Sequence, residues 1–278
     1  MNKIVTVYCE GKSGSHDYEI LSKVINSASE KSSQGTIQHQ PIGSKKGAGS
    51  AIQVYENNTT QSNSYYFFRD RDFDIPVPMS ISLTKDKYIL YSFRTTIENY
   101  LFDTSRFYQF ICEHNLTHYQ LTSEKNVEDV FIKAAKKIAY YQAIRHTLGK
   151  MRIPTDFGTT WLGTSGTLPT DEELNNNELC FNKAWEKIEI EKKKTDVWTK
   201  VMFEQTLADF YCQFTEDTFY EEKGYLTWYQ GKDFDKALRT LLPDFPMKAY
   251  YKFAKKHFDY TKFDDLVELH NILVKSLS

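Results

Sequence analysis

Glu10 and the acidic run Asp70-Arg71-Asp72-Phe73-Asp74 are the residues of this chain with the clearest chemical potential. Glu10 follows a short apolar run at 4–9 that is mostly β-branched, and the acidic run follows the aromatic stretch 65–68. Each run reads as a buried strand stopped by polar residues. In a parallel sheet the carboxyl ends of the strands share one edge, and ligands bind there. Residues 70, 72 and 74 of an extended segment would also point to one side. Two carboxylates about 5 Å apart repel by roughly 3 kcal/mol at an effective dielectric of about 20. Three or four gathered in this way need protons or a cation. Hard oxygen ligands suit Mg²⁺, whose usual partner is a phosphate. The expectation is therefore a metal site on Glu10, Asp70 and Asp72, with Asp74 adjoining. A solvated acidic turn is the plain alternative for D-R-D-F-D alone.

Those carboxylates need a scaffold, and the patterning supplies one. Strands are expected at 4–9, 36–42, 65–68 and 88–91. A helix over 17–31 carries Leu21, Val24, Ile25 and Ala28 on one stripe, with Ser15 as its N-cap. A second helix is expected at 48–56. Strands alternating with helices argue for a parallel α/β sheet. After about residue 104 the pattern becomes helical, with helices expected at 127–148, 172–194, 197–214, 234–242, 247–258 and 263–277. The stretch 149–170, rich in Gly, Thr and Pro, reads as a loop. The expected division is a catalytic α/β module over 1–103 and a mainly helical region over 104–278 that shapes the substrate cleft and partner contacts.

Composition bounds the function. The chain has 278 residues, 26% charged and 40% hydrophobic, with a formal charge of −2. A disordered chain and a histone-like basic surface are both excluded, but a local basic stripe is not. Cys9, Cys112, Cys180 and Cys212 stand singly without zinc spacing, and read as buried reduced thiols. No signal peptide or membrane span is legible, so the expected location is the cytoplasm. The aromatic residues, 15% of the chain, suit a helical core. Gly11-Lys12-Ser13 lacks the first glycine of a phosphate loop, because that place is Thr6. Lys12, and Lys45 and Lys46 ahead of the helix at 48–56, are weaker candidates for holding substrate phosphate. His146 reads as a cap at a helix end.

Three segments carry a resemblance. V-Y-C-E-G-K-S at 7–13, Y-F-F-R-D-R-D-F-D at 66–74 and T-I-E-N-Y-L at 96–101 resemble the TOPRIM domain, a small Rossmann-like parallel sheet flanked by helices. D-R-D-F-D followed by I-E-N-Y-L is similar to the TOPRIM nucleases related to the OLD family, most of all to the AriB-like effectors of PARIS-type anti-phage systems. L-T-W-Y-Q-G-K-D at 226–233 resembles an element near the end of those proteins. The resemblance implies Glu10 as metal ligand or acid/base, Asp70 and Asp72 as the Asp-x-Asp ligands, Glu98 as ligand of a second metal, and Lys232 as the lysine that neutralises phosphate charge. The acidic residue that OLD-like sequences often carry four places after the first glutamate is Gly14 here. A short insertion, Gly14-Ser15-His16, would bring Asp17 into that role.

The same resemblance implies a Mg²⁺-dependent nuclease binding one or two ions, with Mn²⁺ as a substitute. Its implied role is a toxic effector, restrained by an ABC-type ATPase partner and cutting transfer RNA on phage infection. A homodimer that sets two sites on one substrate fits such an enzyme. An OLD-type DNA nuclease and a non-catalytic TOPRIM binding module stand as the alternatives.

Overall fold

The computed structural model describes residues 3–31, 35–43, 63–73, 84–86, 88–151, 170–192 and 199–277. Asp74, Lys45, Lys46, the helix expected at 48–56 and most of the loop expected at 149–170 lie outside them. The chain divides into two units, one formed by residues 1–71, 77–97 and 251–278, the other by 72–76 and 98–250.

The first unit is built on a five-stranded sheet of order β2-β1-β3-β5-β4. Its strands are β1 (Lys3–Cys9), β2 (Gly35–Pro41), β3 (Asn63–Arg69), β4 (Thr84–Asp86) and β5 (Ile89–Tyr91). The first, second, third and fifth are parallel, as the alternation of strand and helix patterns requires. β4 is a three-residue antiparallel edge strand that hydrophobic patterning does not reveal. Val5, Val7 and Cys9 are fully buried in β1, an interior strand of the sheet. Helix α1 (His16–Glu30) starts on Ser15, whose hydroxyl accepts the Tyr18 N–H at 3.3 Å. Asp17 and Glu19 in its first turn suit the helix dipole. Its stripe Ile20, Leu21, Val24, Ile25 and Ala28 is buried.

A second helix on this unit comes from the far end of the chain, against the expected boundary after residue 103. The C-terminal helix Asp264–Leu277 buries Leu266, Leu269, Leu273 and Leu277, and packs on α1, β1 and β2. Tyr66 Oη lies 2.8 Å from Ser276 Oγ, and Asp265 accepts the Phe93 N–H at 3.0 Å. An amphipathic stripe specifies that a face must be covered, not by what, so this placement is invisible to patterning.

The second unit is helical. It comprises α2 (Thr104–Glu113), α3 (Glu124–Lys150), α4 (Asp171–Leu174), α5 (Asn177–Lys192), α6 (Lys200–Thr215), α7 (Asp217–Glu221), α8 (Tyr225–Trp228) and α9 (Gly231–Leu241). Helix α10 (Met247–Lys256) crosses the division, and the C-terminal helix is α11. Among the described residues no strand follows Tyr91. The single helix expected over 172–194 is two, because a capping box on Thr170 and Glu173 starts a short α4 that stops at Asn175. α3 is the axis of the unit and touches α2, α6 and α9. Residues 141–149 of α3 are buried on every side, so no amphipathic stripe marks its last turns. Phe102, Phe107, Phe131 and Phe234 pack edge to face at centroid distances of 5.0–6.2 Å. The aromatic excess is therefore core, as expected.

Two further expectations change. His146 is not a cap, because the helix runs on to Lys150. It is nearly buried, its Nε2 lies 2.7 Å from the Trp228 carbonyl, and its ring meets Phe73, Phe210 and Phe214. Of the cysteines, Cys9 and Cys180 are buried while Cys112 and Cys212 are exposed.

Candidate active site

The strand register decides where the sheet-edge residues stand. β1 pairs with β3 so that Cys9 lies beside Phe68, and both chains then leave the sheet on the same edge. Glu10 is the first residue beyond β1, and Asp70 the first beyond β3. Arg69 Nε donates to Glu10 Oε1 at 2.9 Å, with both side chains largely buried. The same guanidinium sits over the Tyr91 ring of β5. Glu10 is thus held by a cation that sequence reasoning passed over, although Arg69 directly precedes the first aspartate. Asp70 Oδ1 accepts the Ile97 N–H at 2.8 Å and so anchors the start of the 3₁₀ turn Ile97–Leu101.

Gly11 allows the chain to turn at this edge. Its φ is +86°, and a Cβ there would lie 2.4 Å from Ser15 Oγ and 3.2 Å from Asp17 Oδ2. Asp17 therefore sits against the Glu10-Gly11 turn. Behind the turn, the Cys9 thiol is 3.2 Å from His39 Nε2, and His39 Nδ1 is 3.1 Å from Ser22 Oγ. Ser22 donates its hydroxyl proton to the Tyr18 carbonyl at 2.7 Å. Its oxygen then accepts from Nδ1–H, which leaves Nε2 to accept from the thiol. Burial, then the charges of Asp17 and Glu10, push the Cys9 thiol up to about 12, and burial pulls His39 down to about 4. The pair is neutral across the physiological range and gives no nucleophile.

Between the two aspartates, Arg71 is fully buried. Its guanidinium donates to the Phe93 carbonyl at 3.1 Å and to Thr95 Oγ1 at 3.0 Å. Its N–H donates to Ser92 Oγ. The middle residue of Asp-x-Asp thus pins the segment after β3 to the segment after β5. The expected alternation of 70, 72 and 74 ends at Asp72. Its φ is +47°, a left-handed conformation, so the chain turns there instead of running on extended. Asp74 lies outside the described residues.

The second unit holds Asp72, Glu98 and Lys232. Phe73 is buried beneath the Arg145 guanidinium, 4.5 Å from its ring centroid, with Gly149 of α3 against its backbone. A Cβ on Gly149 would lie 2.4 Å from the Phe73 carbonyl oxygen, so only glycine permits this approach. Gly149→Ala, which by helix propensity alone would stabilise by about 1 kcal/mol, is expected instead to lower the melting temperature. An unchanged or raised melting temperature in a calorimetric scan would contradict this.

The I-E-N-Y-L and W-Y-Q-G-K-D motifs meet in this unit. Asn99, fully buried, donates to the Tyr229 carbonyl at 2.9 Å. Lys232 Nζ lies 3.7 Å from Glu98 Oε1. Glu98 Oε2 is buried and has no hydrogen-bond partner among the described residues. Tyr250 donates to the Leu101 carbonyl at 2.6 Å. On the other side of the motif, Gln142 and Arg145 of α3 both bind the Asp233 carboxylate, and Arg145 also reaches Gln230. Lys232 is the second residue of α9, which starts three residues before the expected 234, and its side chain is 63% exposed. Arg145, Gln142 and Asp233 escaped sequence reasoning because on a helix they look like ordinary surface residues.

Among the described residues no group of three or more His, Cys, Asp or Glu is close enough together to hold a metal ion. Among them, too, no helix is long and apolar enough to cross a membrane. Lys12 is exposed beside the Glu10 turn. No protein-family model and no curated protein matches the chain.

Proposed function

We propose that the chain is a Mg²⁺-dependent nuclease of the TOPRIM type. The observation that carries the reading is the parallel pairing of β1 with β3, which sets Glu10 and Asp70 at the carboxyl edge of neighbouring strands. The donor set suits the ion. Mg²⁺ is commonly held by one or two carboxylates together with substrate phosphates and water, not by an all-protein cage. Glu10 and Asp70 would be those carboxylates, with Asp72 two residues further along the chain. Glu98, with its buried unpartnered oxygen, is the candidate for a second position. A bound Mg²⁺ would polarise the scissile phosphate and supply an activated water.

The protein's own groups have separate tasks in this reading. Arg69 fixes the Glu10 carboxylate in one orientation. Asp70 accepts the Ile97 N–H and so fixes that residue of its own unit beside the edge. Lys232 carries the positive charge that phosphoryl transfer calls for at a developing oxyanion. The biological setting implied by the resemblance is a cytoplasmic effector that cleaves transfer RNA after release from an ABC-type ATPase, acting as monomer or dimer.

The test is cleavage of unfractionated transfer RNA and of duplex DNA by the purified chain, with Mg²⁺ and with EDTA, next to a Glu10→Ala variant. RNA fragments that need both Mg²⁺ and Glu10 are the expected result. Cleavage of DNA alone would move the assignment to the OLD-type reading. Products that persist in EDTA or in Glu10→Ala would refute the metal site. No cleavage of either substrate would favour a binding module.

A further inference from the structure

We propose that the first unit carries a phosphodiester-binding groove, formed by α1 and the C-terminal half of α10, along which a nucleic-acid strand lies. The proposal rests on the nuclease reading and names where its substrate is held. The groove has a volume of about 550 Å³ and is lined by Gly14, Glu19, Ser22, Lys23 and the lysines 252, 255 and 256. Four lysines against one glutamate make a strongly positive surface on a chain whose overall charge is −2.

The lysines are arranged for different tasks. Lys252, Lys255 and Lys256 are spaced i, i+3, i+4 and so share one face of α10. Lys255 is held by Glu19 of α1 at 2.6 Å. Lys23 of α1 donates to the carbonyls of Lys256 and Phe258, which closes the end of α10. These two contacts fix the walls to each other. Lys252 and Lys256 are exposed, and their ammonium groups have no partner among the described residues. A buried structural role does not account for two such ammonium groups in one concavity.

The lining also indicates which part of a nucleic acid is bound. Among the described residues its lining has no aromatic side chain on which a base could stack. Ammonium groups contact phosphate and carry no sequence information. The groove is therefore expected to bind the backbone of RNA and DNA alike, in a salt-dependent manner. Gly14, on its rim, belongs to the loop that leaves β1 after Glu10. A strand held by Lys252 and Lys256 would thus run up to the sheet edge that carries the first carboxylate.

The experiment is fluorescence anisotropy with labelled single-stranded RNA and DNA 20-mers of one sequence, in EDTA, at salt from about 50 to 200 mM. The proteins are the wild type, Lys252→Ala/Lys256→Ala, and a control, Lys31→Ala/Lys275→Ala, which removes two exposed lysines elsewhere on the same unit. The groove variant is expected to bind both probes roughly 10- to 30-fold more weakly at about 0.1 M salt. Its slope of log K against log salt should be shallower by about 1.4, at about 0.7 for each lost single-strand phosphate contact. The control should bind like the wild type, and all three should melt alike. Overturning results are wild-type affinity and slope in the groove variant, an equal loss in the control, or no binding by the wild type. Because no divalent ion is present, the outcome separates from the catalytic reading. Binding lost in the variant with no Mg²⁺-dependent cleavage in the wild type would keep the groove and remove the nuclease. Metal-dependent cleavage with unaltered binding in the variant would do the reverse.

Discussion

Asp233→Asn is expected to destabilise the helical unit by about 3–5 kcal/mol, the usual cost of leaving one member of a buried ion pair without its counter-charge. Asp233 is fully buried and Arg145 is 3% exposed. The carboxylate accepts from Arg145 Nη1 and Gln142 Nε2 through one oxygen, while the other has no hydrogen-bond partner among the described residues. The pair is therefore costly to bury and costly to break. The Arg145 guanidinium is held above its ordinary pKa: burial opposes this, but Asp233, Tyr141 and Asp72 outweigh it. It stays charged when Asp233 is neutralised. At about 2–4 °C per kcal/mol for a unit of this size, the melting temperature should fall by roughly 6–20 °C. The double variant Arg145→Met/Asp233→Leu should recover much of the loss, since apolar side chains of similar volume often replace buried pairs without penalty. A loss under about 1 kcal/mol for Asp233→Asn, read by denaturant titration, would show that the pair does not brace the unit.

Lys232→Ala is expected to act in the opposite way, with a large effect on cleavage and almost none on the fold. Its ammonium is mostly exposed, so at 3.7 Å its attraction to the largely buried Glu98 is long and screened by water. If Lys232 stabilises charge on the transferring phosphoryl group, its removal should lower the cleavage rate by about 10²–10³, or roughly 3–4 kcal/mol. Single-turnover cleavage with Mg²⁺ saturating measures this directly, with a thermal melt as the control for folding. A rate within twofold of wild type would return Lys232 to the surface. The two variants also test each other. Asp233 neighbours Lys232 on α9, so Asp233→Asn should lose cleavage by misplacing the lysine at temperatures where the unit is still folded.

The parts of the fold that were legible in sequence share a physical cause. Val5, Val7 and Cys9 lie in a run long enough to declare a buried strand, and the Leu21–Ala28 stripe has a clear helical period. The polar positions at strand ends could be placed by the rule that parallel strands share a carboxyl edge. What was hidden depended on partners distant in sequence. Arg69 and Arg71 adjoin the aspartates, but their roles come from Glu10 and Thr95, which no local pattern links to them. The left-handed turn at Asp72 overrides the period-two expectation, because a single φ of +47° is a tertiary outcome and not a propensity of aspartate in an extended run. Arg145 and His146 are buried where a helix would ordinarily face water, since α3 is enclosed by other helices.

The position of α11 has a consequence for how the protein comes into being. β1 is Lys3–Cys9, yet the helix that covers β1 and β2 is Asp264–Leu277, far along the sequence from it. Bringing together segments so far apart in sequence slows folding, because loop entropy must be lost before the contact forms. During synthesis, which proceeds at about 5–20 residues per second from the N-terminus, the sheet stands without this helix until residues 264–277 have been made. A nascent chain that already carries β1, β2 and β3 therefore lacks the helix that covers β1 and β2.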